Sequence, residues 1–170
     1  MNRLSKMAAL GLVLAMAACT NPDRFGDGAG GGAGGAGGAG AAGSVNDPTS
    51  PAYFQQAVGD RVLFAVDQST LSDEAQVVLQ GQAKWLIENT DYMAKIEGHA
   101  DEQGTREYNL ALGARRANAV REYLISRGIA GNRLTTVSFG KERPIEICST
   151  ETCYTKNRRA VTVLAGGLTG

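Results

Sequence analysis

Two carboxylates and one arginine form the combination of residues with the clearest chemistry in this chain. Arg116 falls on the apolar stripe of a predicted helix, four residues after Leu112, whereas its neighbour Arg115 points elsewhere. A guanidinium on a buried stripe needs an anionic partner, because its burial without one costs several kcal/mol. Asp101, which follows a predicted strand and precedes this helix, is the nearest candidate.

Asp67 ends an earlier predicted strand in the same way as Asp101. Ligands of α/β sheets collect at the carboxyl ends of parallel strands, so both carboxylates and Arg116 could share one cleft. In such a cleft an aspartate would accept an ammonium, and the guanidinium would bind a carboxylate with two hydrogen bonds. The pattern therefore favours binding of an amino-acid-like group. Two structural alternatives stay open, in which the aspartates cap turns or Asp101 and Arg116 form a closed ion pair.

The elements that must position these residues alternate between strand and helix periodicity. A strand is predicted at 61–66, a helix with Ser72 as N-cap at 72–88, a strand at 94–99, a helix ended by Gly128 at 105–127, and strands at 134–139 and 160–164. This order indicates a βαβ crossover and a sheet with helices packed on it.

The first 18 residues have the pattern of an export signal. Arg3 and Lys6 precede an apolar stretch at 7–18 that is too short to cross a bilayer as a helix. Small residues then precede Cys19, which resembles the lipobox of bacterial lipoproteins, although Met16 stands where that motif usually has Leu. The resemblance implies that residues 1–18 are removed and that Cys19 is lipidated, and Thr20 after it favours the outer membrane. An ordinary signal peptide with a chance cysteine is the alternative.

Residues 19–52 read as a linker, because they carry almost no large apolar side chain and 26–43 is nearly pure Gly and Ala. Such a segment cannot offset the entropy of ordering. It matches the G-x-G-x-x-G pattern twice, but no strand precedes it and no amphipathic helix follows, so nucleotide binding is not indicated. We predict a disordered tether in front of a folded domain at 53–170.

Composition excludes several classes of function. The chain has 17 Lys and Arg, 17 Asp and Glu and one His, so its formal net charge is zero and it lacks the basic footprint of a nucleic-acid-binding protein. His99 and Asp101 form an H-x-D pattern, but a single histidine is weak evidence for a metal site or for acid–base catalysis, and we predict neither. Cys148 and Cys153 flank a short loop; in an exported protein this favours a disulfide over zinc ligation.

Three segments closely resemble the OmpA-like peptidoglycan-binding domain family: residues 96–109 (IEGHADEQGTREYN), 112–120 (LGARRANAV) and 156–161 (KNRRAV). They occur in the family's order and at its spacing, and the resemblance covers about residues 61–164. It implies an α+β fold in which a mixed βαβαββ sheet carries its helices on one face.

The same resemblance implies a ligand and the residues that bind it. In the family the Asp and Arg that match Asp101 and Arg116 bind the ammonium and carboxylate of meso-diaminopimelate in the peptidoglycan stem peptide. Asp67 matches a strand-end aspartate of the family, although Val66 replaces the aromatic residue before it. The other matching positions are Thr105 and Leu112, which would line the pocket, and Arg158, which belongs to a framework motif beside the ligand.

The expected function is therefore a noncatalytic link between the outer membrane and the cell wall, without a cofactor or a metal. The partners that the resemblance implies are peptidoglycan and the Tol system, notably the propeller protein TolB. Two alternatives remain: a wall-binding lipoprotein outside the Tol system, and a hydrolase of the cell wall.

Overall fold

The computed structural model describes residues 43–166. The predicted signal peptide, Cys19 and most of the predicted linker lie outside this part of the chain. The elements are α1 (Pro51–Tyr53), a π-helical turn (Phe54–Gly59), β1 (Arg61–Leu63), α2 (Asp73–Glu88), β2 (Tyr92–His99), α3 (Arg106–Ser126), a 3-10 turn (Gly131–Arg133), β3 (Leu134–Gly140), α4 (Glu151–Asn157) and β4 (Arg159–Gly166). Within the described range, no helix is both long enough and apolar enough to cross a membrane.

The four strands form one mixed sheet in the order β1-β4-β2-β3. β2 and β3 are parallel and α3 connects them, whereas β4 runs antiparallel to both β1 and β2. β1, β2 and β3 therefore run in one direction, and their carboxyl ends lie along the same edge of the sheet. The predicted mixed sheet is confirmed, and so is the meeting of the segments that follow β1 and β2.

Both long helices begin and end within one residue of the predicted bounds. The Ser72 hydroxyl accepts a hydrogen bond from the Ala75 amide at 3.2 Å at the start of α2, and the Thr105 hydroxyl accepts one from the Tyr108 amide at the start of α3. Gly128 follows α3 with a φ of 100°, a conformation that glycine adopts without a steric penalty.

α2 and α3 pack against the same face of the sheet. Ile96 of β2 and Ala160 of β4 face them, and Leu86, Val120 and Leu124 of the two helices are almost completely buried there. The alternating burial along β2 and β4 follows from the two-residue period of a strand. One core therefore holds the sheet and both helices together.

β2 and α3 approach each other so closely that two glycines are required. A Cβ at Gly98 would overlap the carbonyl oxygen of Gly113, and a Cβ at Gly113 would overlap the Ser138 hydroxyl and lie 2.8 Å from the Gly98 oxygen. The contact brings the next turn of α3, with Arg116, against the end of β2.

The N-terminal part of the described chain also packs on the domain. The Trp85 indole N–H donates to the Pro48 carbonyl at 2.7 Å, and the Tyr92 hydroxyl donates to the Thr49 carbonyl at 3.1 Å. Ser50 is buried, and its hydroxyl donates to the Ser44 carbonyl and accepts from the Tyr53 amide at the start of α1. The folded domain therefore begins before residue 53, the boundary that composition suggests, since a buried indole N–H needs an acceptor.

Two further elements differ from prediction. β1 ends at Leu63, whereas a strand was predicted to residue 66, because Leu63 pairs with Arg159, the first residue of β4; the chain then turns at Asp67, where φ is 56°. α4 lies where only a loop was predicted; its seven residues carry no apolar stripe that a sequence pattern could reveal. Cys148 and Cys153, around the start of α4, form a disulfide with Cα atoms 5.9 Å apart.

The glycine contact leads to a stability prediction. We expect Gly113→Ala to lower the free energy of unfolding by about 1–3 kcal/mol, because an overpacked contact between backbones cannot relax without moving α3. Chemical denaturation followed by circular dichroism measures this change. In Gly81→Ala, a matched control in α2, the new Cβ would lie 3.5 Å from a methyl group of Val58; this variant should be neutral or more stable by up to about 1 kcal/mol. Equal stability of the Gly113 variant and the unmodified chain would contradict the prediction.

Candidate ligand-binding cleft

A cleft of about 250 Å³ opens at the edge of the sheet where β1 and β2 end. The residues that line it are Val66, Asp67, Asp101, Gln103, Gly104, Tyr108, Asn109, Leu112 and Arg116. Four of the six residues that the sequence analysis assigned to the ligand are thus brought together, while Thr105 and Arg158 are not in the lining.

Arg116 is completely buried, yet none of its hydrogen bonds goes to a carboxylate. Its Nε donates to the Gln68 carbonyl at 2.8 Å, its Nη1 to the His99 carbonyl at 2.8 Å and its Nη2 to the Ala65 carbonyl at 3.1 Å. Its Cζ also lies 5.2 Å from the centre of the Phe64 ring. Since a guanidinium has five N–H donors, two remain for another acceptor.

The environment of Arg116 sets the charge at the base of the cleft. Burial lowers the pKa of Arg116 to about 10; the nearby Asp101 carboxylate opposes this shift and the Arg158 guanidinium adds to it. Arg116 is therefore cationic at neutral pH. The ring of Phe64 and the three carbonyl dipoles supply the stabilisation that water would otherwise give.

Asp101 has a different cation from the one that the sequence suggested. Its Oδ2 accepts from Arg158 Nη1 at 3.1 Å, and its Oδ1 accepts from the Gln103 amide at 3.2 Å. The closed ion pair between Asp101 and Arg116 is therefore not formed, although the carboxylate does cap the turn that follows β2. With 7% of its surface exposed, Asp101 reaches the cleft while Arg158 holds it from behind.

Arg158, which was predicted to lie beside the ligand, is not in the cleft lining and contacts Asp101 from behind. It is 4% exposed, and its Nε donates to the Phe64 carbonyl at 3.2 Å. Burial by itself would lower its pKa, but hydrogen bonds to the carboxylates of Glu151 and Asp101 raise the pKa overall. Its charge is thus permanent and is shared between two acids.

Asp67 is exposed and has the left-handed backbone conformation, with φ of 56°. The carbonyls on either side of it, those of Ala65 and Gln68, are the ones that Arg116 holds. Its Oδ1 accepts a hydrogen bond from the Tyr108 hydroxyl. Asp67 therefore caps no described helix and instead lines the cleft.

Tyr108 and Asn109 are cleft residues that the sequence analysis missed. Tyr108 precedes Leu112 by four residues and so lies on the same side of α3, a spacing that could have revealed it. The Asn109 side chain donates to the Gln103 carbonyl at 2.7 Å and holds the loop between β2 and α3. Thr105, in contrast, was predicted to line the pocket and instead caps α3.

His99 is buried at the end of β2. Its ring stacks on Phe139 with centroids 5.5 Å apart, and only 2% of its surface is exposed. Burial lowers the pKa of His99 to about 4; the charges of Arg159 and Arg143 add to this shift and Glu97 opposes it. His99 is therefore neutral at physiological pH and contributes its carbonyl to Arg116. Among residues 43–166, no group of three or more His, Cys, Asp or Glu side chains is arranged to hold a metal ion.

Comparison with known proteins agrees with this fold. The OmpA family model matches residues 63–158. The peptidoglycan-associated lipoprotein of Rhizobium meliloti is 49% identical over 160 residues, which are 94% of this chain and 87% of that protein. The peptidoglycan-associated lipoprotein of Pseudomonas aeruginosa is 40% identical over 94% of this chain and 96% of its own length.

A solved structure gives the same result. The crystal structure of the peptidoglycan-associated lipoprotein from Burkholderia pseudomallei has a TM-score of 0.63 and 38% sequence identity, and the match covers 71% of this chain and 98% of that one. The chain belongs to the OmpA family. Its similarity to peptidoglycan-associated lipoproteins extends over most of their length and is not limited to the shared domain.

The environment of His99 predicts its titration. Because the pKa of His99 is about 4 in the folded chain and ordinarily 6.5, the unfolded chain binds this proton between about pH 6.5 and 4 and the folded chain does not. The free energy of unfolding is therefore unaffected by His99 above pH 6.5. It decreases as the pH falls from about 6.5 to 4, because protonation of His99 favours the unfolded chain. The chain has one histidine, so its ring proton can be followed unambiguously by NMR, and a measured pKa of 6 or higher would contradict the burial argument.

Proposed function

We propose that this cleft binds peptidoglycan noncovalently, through the free amino-acid end of meso-diaminopimelate in the stem peptide. The main observation in support is the meeting of two carboxylates, Asp67 and Asp101, with the guanidinium of Arg116 in one cleft. A zwitterionic group fits this set, because its ammonium is attracted to the acids and its carboxylate to the arginine.

The hydrogen bonds within the protein determine how many donors and acceptors each cleft residue has left for a ligand. Arg116 uses three N–H groups on backbone carbonyls, so two are left for the carboxylate of a ligand. Asp101 accepts two hydrogen bonds, and its two oxygens have capacity for an ammonium donor as well. Tyr108 adds an aromatic side to the cleft where Val66 replaces the family's aromatic residue.

We further propose that the chain is a lipoprotein of the outer membrane whose periplasmic domain tethers that membrane to the wall. The support is the lipobox-like sequence at Cys19, the Gly- and Ala-rich segment after it, and relatives named peptidoglycan-associated lipoprotein. In this proposal the further partners are the Tol proteins, TolB among them, and the protein has no catalytic role.

The site proposal predicts the effect of substitutions in the cleft. Asp101→Asn keeps the shape of the side chain and removes its charge, so affinity for diaminopimelate-containing peptidoglycan should fall about tenfold, or roughly 1.4 kcal/mol. Arg116→Lys keeps the charge but cannot donate to three carbonyls and a carboxylate at once, and should weaken binding by about thirtyfold. Co-sedimentation of the full chain with purified peptidoglycan measures both, after circular dichroism has established that each variant is folded.

Two controls sharpen this experiment. Arg115→Ala, on the exposed side of α3, should bind like the unmodified chain. Peptidoglycan that carries lysine in place of diaminopimelate lacks the carboxylate that Arg116 would bind, so it should sediment less protein. Folded Asp101 and Arg116 variants with unchanged affinity would refute the site, and release of soluble muropeptides from the wall would favour a hydrolase.

The anchor proposal predicts the behaviour of Cys19→Ser. Each methylene of an acyl chain contributes about 0.8 kcal/mol when it enters the membrane, and more than one chain makes anchoring stable. We therefore expect the unmodified protein to stay in the membrane fraction after a high-salt wash and the variant to be released. Mass spectrometry of the mature N-terminus should find lipid on Cys19; an unmodified cysteine there would exclude the anchor.

A further inference from the structure

The buried guanidinium of Arg158 connects the cleft to α4. On one side its Nη1 donates to Asp101 Oδ2 at 3.1 Å. On the other side its Nη2 donates to the carboxylate of Glu151 and to the Thr155 hydroxyl at 2.9 Å. Arg158 is 4% exposed and is not in the cleft lining, and its side chain bridges Glu151 and Asp101.

Glu151 changes the charge that a ligand meets at Asp101. Arg158 carries a permanent positive charge close to the carboxylate that would hold an ammonium, and two cations compete for one anion. A second carboxylate on the far side of the guanidinium offsets that competition, because Arg158 is then shared between Glu151 and Asp101. Asp101 keeps more of its negative potential for the ligand, and its oxygens are held in one orientation.

Burial does not hold Glu151 in place, since 64% of its side chain is exposed. It is the first residue of α4, which has only seven residues, and the N-cap Thr150 makes no capping hydrogen bond through its side chain. A helix of this length is not stable by itself. The disulfide between Cys148 and Cys153 closes the loop that contains Glu151, and it therefore restrains the carboxylate.

We propose that Glu151 is a positioning residue for the wall-binding cleft and acts on Asp101 through Arg158. The Cys148–Cys153 disulfide holds the Glu151 carboxylate within reach of Arg158. This inference rests on the proposed function of the cleft. It assigns to the disulfide, which is outside the cleft, an effect on affinity as well as on stability.

The test is titration calorimetry of the full chain in detergent with the tripeptide L-alanyl-γ-D-glutamyl-meso-diaminopimelate. Glu151→Gln removes the charge and keeps the shape; because the carboxylate is partly exposed, the expected loss of affinity is modest, about fivefold. In the Asp101→Asn background the same substitution should change affinity by less than about twofold, since the residue through which it acts is already neutral. A purely structural role of Glu151 would give the same loss in both backgrounds.

Two further variants separate the disulfide from general effects on the loop. Replacement of both Cys148 and Cys153 by Ser should weaken binding by about the same factor as Glu151→Gln. When the cysteine replacements are combined with Glu151→Gln, the further loss of affinity should be small. Glu146→Gln is the matched control, because Glu146 lies just before the disulfide-closed loop and pairs with Lys156 at 2.8 Å rather than with Arg158; the affinity of this variant should be unchanged.

The outcomes distinguish this inference from the proposed function. If the unmodified chain does not bind the tripeptide, the proposed function fails and the inference fails with it. If the unmodified chain binds and Glu151→Gln binds equally well, only the positioning role is overturned. The same conclusion follows if Glu146→Gln loses as much affinity as Glu151→Gln, because the effect would then be one of surface charge in general.

Discussion

The position of one guanidinium, that of Arg116, determines most of the geometry around the cleft. It has no exposed surface and is solvated by three backbone carbonyls, two from the segment after β1 and one from the end of β2. A buried cation in this position is tolerated only while all three acceptors are present, so it links the two segments and fixes the distance between them. The close contact of Gly98 with Gly113 serves this arrangement, because a wider separation would take Arg116 away from the His99 carbonyl.

The second buried guanidinium has a complementary task. Arg116 donates to backbone carbonyls, whereas Arg158 donates to the carboxylates of Asp101 and Glu151. Together the two guanidinium groups place positive charge beneath the surface formed by Asp67 and Asp101. Lysine could replace neither, since an ammonium cannot donate in several fixed directions within one plane. The cleft is thus held by groups that stay charged at every physiological pH, and the only titratable imidazole beside it is kept neutral.

The sequence was sufficient to predict the features that depend on local patterns. The cap at Ser72 located the start of α2 and Gly128 located the end of α3, and the four-residue spacing from Leu112 identified Arg116 as buried while Arg115 stayed outside. The partner of Asp101 could not be predicted in this way. Arg158 follows it by 57 residues and reaches it only because β4 inserts between β1 and β2.

Other structural features could not be predicted, because they leave no recognisable pattern in the sequence. The acceptors of Arg116 are main-chain oxygens, which every residue has, so nothing in the sequence marks Ala65, Gln68 or His99 for that role. α4 depends on a disulfide and on tertiary contacts, and not on an apolar stripe. Thr105 has a hydroxyl that suits both a cap and a pocket, and only the fold decides between them.

The attachment of the segment before α1 has a mechanical consequence. Pro48 is held by Trp85, near the end of α2, and Thr49 by Tyr92, the first residue of β2, whereas Asp101 follows the end of that strand. In the proposed tethering role, tension from the membrane side enters at one end of β2 and leaves toward the wall at the other, about 26 Å away for eight residues. The pull runs along the strand, so its hydrogen bonds to β3 and β4 are loaded in shear and share the force, rather than opening one after another as in a zipper.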